Sequence, residues 1–222
     1  MLSWGRVRRA LQPVVLKYWL NQRSKKCVRT RVAKLDLEVF PGVFHPRYFG
    51  SSSILANFVS LLPLHGKSFL DLGCGSGVVA LCAARAGADV IGVDINPTAV
   101  RCTMANAARN KLHVDALLGD LFSSVPGRQF DVIAWNPPFL PGEPRTPAEA
   151  AFYGGPNFDL IRRFSVEVRC HVSPGGSIYT ILTADVATEE IEQLFRQEGF
   201  RVARVHSTRW GLGETMVILC AQ

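Results

Sequence analysis

The first 35 residues contain neither aspartate nor glutamate. The same stretch carries ten basic residues: Arg6, Arg8, Arg9, Lys17, Arg23, Lys25, Lys26, Arg29, Arg31 and Lys34. All 18 acids of the 222-residue chain come later, so the formal charge of +7 belongs to a basic N-terminal arm and not to the remainder. Also absent is any apolar run near the roughly 20 residues needed to cross a bilayer. The stretch ALQPVVLKYWL, residues 10–20, is interrupted by Gln12, Pro13 and Lys17 and is followed by no small-residue cleavage pattern, which argues against a secretory signal. Six cysteines (Cys27, Cys74, Cys82, Cys102, Cys170 and Cys220) form no CxxC pair, and the five histidines do not cluster with them. A metal site and a disulfide framework are therefore not expected. Most of the thiols read as small buried hydrophobes in a reducing, cytoplasmic setting. No internal repeat or low-complexity segment is present.

What is there suffices for one core. The chain is 48% hydrophobic and 19% charged, and one domain is the default at this length. The expected organisation is a basic extension over 1–35 and a domain over 36–222. The extension is expected to be partly helical. Alternation predicts a half-buried strand near 34–39, and Pro, Gly and Ser content predicts a loop over 41–53 with a short helix over 54–62. From there strands at 68–73, 89–95, 114–120 and 130–136 alternate with helices at 77–86 and 97–110. A helix over 159–171 and a turn at Pro174-Gly175-Gly176 lead to a strand at 177–184 and a helix at 188–198. Strands at 200–208 and 214–221 are spaced to pair as a hairpin. The pattern predicts an α/β, Rossmann-like fold: a seven-stranded, mostly parallel sheet with a C-terminal antiparallel hairpin strand and helices on both faces.

Open sheets of this kind bind ligands at the carboxyl ends of their strands. The first regular strand ends in DLGCGSG, residues 71–77, where Gly73, Gly75 and Gly77 permit a sharp turn and close approach of a ligand. The spacing differs from the G-x-G-x-x-G that cradles a pyrophosphate. The second strand ends at Asp94, placed to accept from two ribose hydroxyls, and the third at Asp120, placed to accept from an adenine amine. Asp71 can attract an ammonium. Acids for an adenosine and an amino acid, without a basic clamp for phosphates, describe S-adenosylmethionine better than a dinucleotide. Asp71, Leu72, Gly73, Cys74, Gly75, Gly77, Asp94, Asp120, Leu121 and Asn136 form the candidate cofactor set.

The segment FDVIAWNPPF, residues 130–139, runs from a buried strand into two prolines that end it. DLGCGSG, DINPTAV (94–100), ANA (105–107), Gly119-Asp120 and NPPF in that order resemble the class I S-adenosylmethionine-dependent methyltransferases. NPPF resembles the subgroup that methylates planar NH2 groups. That resemblance implies that the Asn136 side-chain oxygen and the Pro137 carbonyl accept from the target NH2, that Phe139 packs on the flat target, and that Pro138 stiffens the loop. Such acceptors favour a pyramidal nitrogen and stabilise the charge that develops during transfer.

Two further stretches are similar to the HemK-like glutamine methyltransferases, over about residues 40–220. FYGGPNFDLIRRF (152–164) resembles a glycine-rich segment that follows NPPY there, with Phe158 in place of a glycine. VFHPRYFGSSSIL (43–55) occupies the place of an acid-containing loop, with Tyr48, Phe49, Gly50 and three serines in place of the acids. The resemblance implies a protein substrate, a glutamine amide of a translation release factor. NPPF also resembles enzymes that act on guanine N2 of ribosomal RNA, so a base amine of RNA or DNA, guanine N2 or adenine N6, is the alternative. A non-catalytic cofactor-binding module in a translation complex is the third reading. The arm, with Trp4, Tyr18 and Trp19 among its basic residues, is compatible with RNA, with an anionic membrane surface, with a transit peptide or with a solvated helix. The oligomeric state is open.

Overall fold

The computed structural model describes residues 26–140, 142–146, 149–184, 188–211 and 214–222. Most of the predicted basic extension, including its helix, lies outside these residues. Its last part is described. Val28–Val32 (β1) and Leu35–Val39 (β2) form an antiparallel two-stranded sheet turned at Ala33 and Lys34, both at positive φ. Arg29 faces Glu38 and Arg31 faces Asp36 across the ladder, at 4.0 and 3.5 Å. Two of the arm's cations are thus paired within the chain. The inward residues Val32, Leu35 and Leu37 are buried in the main core.

The region predicted as a loop holds two short helices, Pro46–Phe49 (α1) and Ser51–Val59 (α2), joined by Gly50. The second begins three residues earlier than the apolar periodicity suggested, because Ser51, Ser52 and Ser53 make its first turn.

Beyond it the alternation predicts the elements closely: Ser68–Leu72 (β3), Val78–Arg85 (α3), Asp89–Asp94 (β4), Pro97–Asn110 (α4), Asp115–Leu118 (β5), Phe130–Trp135 (β6), Asp159–Glu167 (α5), Val172–Thr183 (β7), Thr188–Gln197 (α6), Val202–Trp210 (β8) and Glu214–Ala221 (β9). Asn96 caps α4, its side chain accepting the Thr98 N–H, with Pro97 in the first turn. Pro174, Gly175 and Gly176 do not precede β7 but lie inside it: pairing with β6 jumps from Phe130–Val172 to Val132–Ser177, so these residues bulge out of the ladder.

The seven-stranded sheet has the order β5-β4-β3-β6-β7-β9-β8. Five strands are parallel, and β9 inserts antiparallel between β7 and β8, so the predicted C-terminal hairpin is present. One face is covered by α2, α3 and α4 and carries the cluster of Leu55, Val59, Phe69, Leu81 and Ile218. The other is covered by α5 and α6, around Phe130, Ile133, Phe164 and Phe195. Strands sandwiched this way are apolar on both faces, which is why β3, β4 and β6 read as continuous hydrophobic runs. The order reverses at β3, with β4 on one side and β6 on the other. That switch point is where such a sheet opens a crevice at its carboxyl edge.

Candidate active site

A cleft of about 390 Å³ opens at that crevice, above the ends of β3, β4, β5 and β6. Of the residues expected from sequence, Asp71, Leu72, Gly73, Cys74, Gly75, Asp94, Asp120, Leu121, Asn136 and Pro138 line it together. Gly77, Pro137 and Phe139 do not. Gly77 packs inward, where a Cβ would lie 2.9 Å from Thr103. Pro137 is buried. The Phe139 ring is half-buried against the core cluster under α5. The aromatic residues that do line the cleft are Phe44, Trp135 and Tyr153.

The glycine loop is held in place by side chains from three elements. Asp71, at the end of β3 and only 3% exposed, accepts the Ala80 N–H at 2.9 Å and so satisfies the first turn of α3 from across the loop. Burial pushes its pKa up to about 7; the Ala80 hydrogen bond opposes this and Asp94 adds to it. Asp94 accepts from the N–H groups of Gly75 and Asn96, both at 2.9 Å, and burial outweighs these bonds to leave its carboxyl above the ordinary range. On α4, Thr103 donates to the Gly75 carbonyl at 3.2 Å. Asn106 is fully buried and donates to Ser76 and Glu38 carbonyls at 2.9 and 3.1 Å, tying β2 to the loop. Burial pushes the Cys74 thiol well up, which leaves it a neutral wall rather than a nucleophile.

These residues fit S-adenosylmethionine. A Cβ at Gly73 would point into open space and one at Gly75 would meet only the Gly73 carbonyl at 3.8 Å, so the loop leaves room on its cleft side. Carboxylates at three successive strand ends stand around that space. Asp120 is engaged by Arg163 of α5 at 3.0 Å.

Asn136 follows β6. Its side-chain NH2 donates to Ser51 Oγ at 3.1 Å and to Ser52 Oγ at 2.9 Å. With both amide hydrogens so used, the amide oxygen remains for the cleft, as an acceptor. Sequence reasoning missed these serines. They were visible only as three hydroxyls where the resembled family has acids, and nothing in their spacing connects them to a residue 84 positions away. The segment after NPPF pairs with the glycine-rich stretch: Leu140 N–H donates to Phe152 at 2.9 Å, and Gly142 and Gly155 exchange backbone bonds. That pairing walls the cleft with Tyr153, Gly154 and Gly155. Phe158, which replaces the expected glycine, sits at φ 56° in the left-handed region, the conformation that accounts for glycine elsewhere.

The fold and this site define a class I methyltransferase. The family model for the methyltransferase small domain matches residues 34–204. A Methanocaldococcus jannaschii protein provisionally named protein N5-glutamine methyltransferase is 30% identical over 83% of this chain and 94% of its own length. The release factor glutamine methyltransferase of Koribacter versatilis is 35% identical over 64% of this chain and 55% of its own, so the chain spans about half of that relative. Among solved structures, a Thermus thermophilus 16S rRNA guanine-N2 methyltransferase in complex with AdoMet and guanosine superposes with a TM-score of 0.66, at 24% identity over 89% of this chain and 50% of that one. The chain belongs to the methyltransferase small domain family, as a HemK-like enzyme of class I whose methyl donor is S-adenosylmethionine.

Proposed function

We propose that the protein methylates the side-chain amide nitrogen of a glutamine in a protein, and that this protein is a translation release factor met in the cytoplasm. The observation that carries this reading is the Asn136 amide, tied by its nitrogen to Ser51 and Ser52 at the rim of the donor cleft. A fixed carbonyl-type acceptor is what a planar NH2 group needs: it draws on an N–H, favours a localised nitrogen lone pair and stabilises the positive charge that grows on nitrogen. When bound, S-adenosylmethionine supplies an electrophilic methyl carbon on a sulfonium. The roles of the chain's own residues follow from their chemistry: Asp94 for the ribose hydroxyls, Asp71 for the ammonium, Asp120 for the adenine amine, Asn136 for the target. The amide proton leaves to solvent after transfer, so no strong base is needed.

The charge of the cleft favours a protein over a nucleic acid. Among the described residues its lining holds, apart from the acids assigned to the donor, Glu143 and Asp159 against Arg163 alone, which is already paired with Asp120. A polyanion approaching that wall is repelled. The names of the two glutamine methyltransferase relatives point the same way. The second reading, a base amine of RNA, draws on the basic arm and on the likeness to the ribosomal RNA enzyme.

Labelled methyl transfer decides between them. Full-length protein is offered a recombinant release factor, the same factor with its target glutamine changed to alanine, and ribosomal RNA. Label in the first alone supports the proposal; label in the RNA alone overturns it.

A further inference from the structure

We propose that Ser51 and Ser52 are positioning residues that set the rotation of the Asn136 amide and thereby make it an acceptor. The inference rests on the reading that Asn136 faces an NH2 group. A primary amide is nearly symmetric in shape, and a half-turn about its last bond exchanges the oxygen for the NH2. In the wrong rotamer, Asn136 presents two donors to a substrate that also presents donors, and the site opposes the reaction it is meant to assist. Something must therefore select one rotamer before substrate arrives.

The two serine hydroxyls do so. Both stand on the NH2 side, at 3.1 and 2.9 Å, and Ser51 is only 3% exposed. A hydroxyl can accept while donating elsewhere, so two of them convert one face of the amide pocket into an acceptor surface. The serines are themselves immobilised. They open α2, and Ser53 beside them donates to the Pro46 carbonyl at 2.7 Å. Gly50, just before them, has φ +75° and lies so close to the Trp210 indole that a Cβ there would come within 2.3 Å of the ring. The last residue of β8 thus packs on the start of α2. The chain of contacts runs from Trp210 through Gly50 to the serines and from them to Asn136. It is a preorganisation device: the acceptor is aimed by the fold and not by the substrate.

The test uses the full chain and whichever substrate the wild type methylates. Ser52→Ala and the double change Ser51→Ala/Ser52→Ala should lower kcat roughly tenfold to a hundredfold, while the donor dissociation constant and the melting temperature stay near wild type. Ser52→Thr keeps the hydroxyl and should restore kcat to within about threefold. Independently of turnover, the Asn136 side-chain NH2 resonance, assigned by its loss in Asn136→Ala, should be protected from solvent exchange in the wild type and unprotected in the double variant. Unchanged kcat in the alanine variants, an equal loss in Ser52→Thr, or donor affinity falling in step with kcat overturns the proposal. A wild type that labels RNA instead of protein overturns the substrate reading alone. If the wild type labels neither, the exchange measurement alone upholds or sinks the clamp.

Discussion

One carboxylate oxygen of Asp71 accepts the backbone N–H of Ala80 at 2.9 Å, so a residue that lines the cleft also holds the start of α3. Its pKa is pushed up to about 7, from the ordinary 3.8, chiefly by burial. Between those values the folded chain keeps a proton that the unfolded chain has released. Stability from this group is therefore present at low pH and is lost as pH rises through about 7. Thermal denaturation of Asp71→Asn across that window should show a weaker decline with pH than the wild type does.

The same titration bears on donor binding. With the donor ammonium on Asp71, as proposed, the ionised carboxylate is favoured, so affinity for S-adenosylmethionine should rise about tenfold from pH 6 to pH 8. Calorimetric titration at several pH values checks this. A slope that survives in Asp71→Asn assigns the effect to another group.

Asp94 uses both oxygens to hold Gly75 and Asn96. Asp94→Ala should weaken donor binding at least about tenfold, because it releases the glycine loop and, with the ribose role proposed for Asp94, removes an acceptor as well. Equilibrium dialysis with labelled donor measures it, and an unchanged affinity removes Asp94 from the site.

Asn136→Ala should reduce turnover about a hundredfold or more while leaving donor affinity within a few-fold of wild type. The separation matters: Asn136 is tied to α2 and not to the glycine loop. Steady-state kinetics together with donor titration resolve the two effects.

Phe158 supplies a test of backbone strain. It lies at φ 56°, half-buried against the core cluster that includes Phe164 and Phe195. Phe158→Ala loses the packing and keeps the strain, at a cost of about 1–3 kcal/mol. Phe158→Gly loses the same packing but relieves about 1 kcal/mol of strain. Chemical denaturation should therefore find glycine the more stable of the two replacements, the reverse of their order in a helix interior.

The alternation of apolar runs and amphipathic stretches determined the order of elements from β3 to β9. Gly73, Gly75 and the acids at successive strand ends marked residues that meet in one cleft, because strand ends in such a sheet converge whatever the loops do. NPPF marked Asn136 and Pro138, which line the same cleft, together with Pro137 and Phe139, which do not. What residue spacing does not carry is contact between distant segments. Only the tertiary structure set Ser51 and Ser52 beside Asn136, Asn106 beneath Ser76, and Trp210 against Gly50. It also turned Phe139 toward the core and brought Tyr153 and Phe44 to the cleft wall. The reason is physical. Periodicity and turn chemistry are local, set by backbone sterics within a few residues. The direction in which an amide or a ring faces is decided by whatever packs beside it after the sheet has closed.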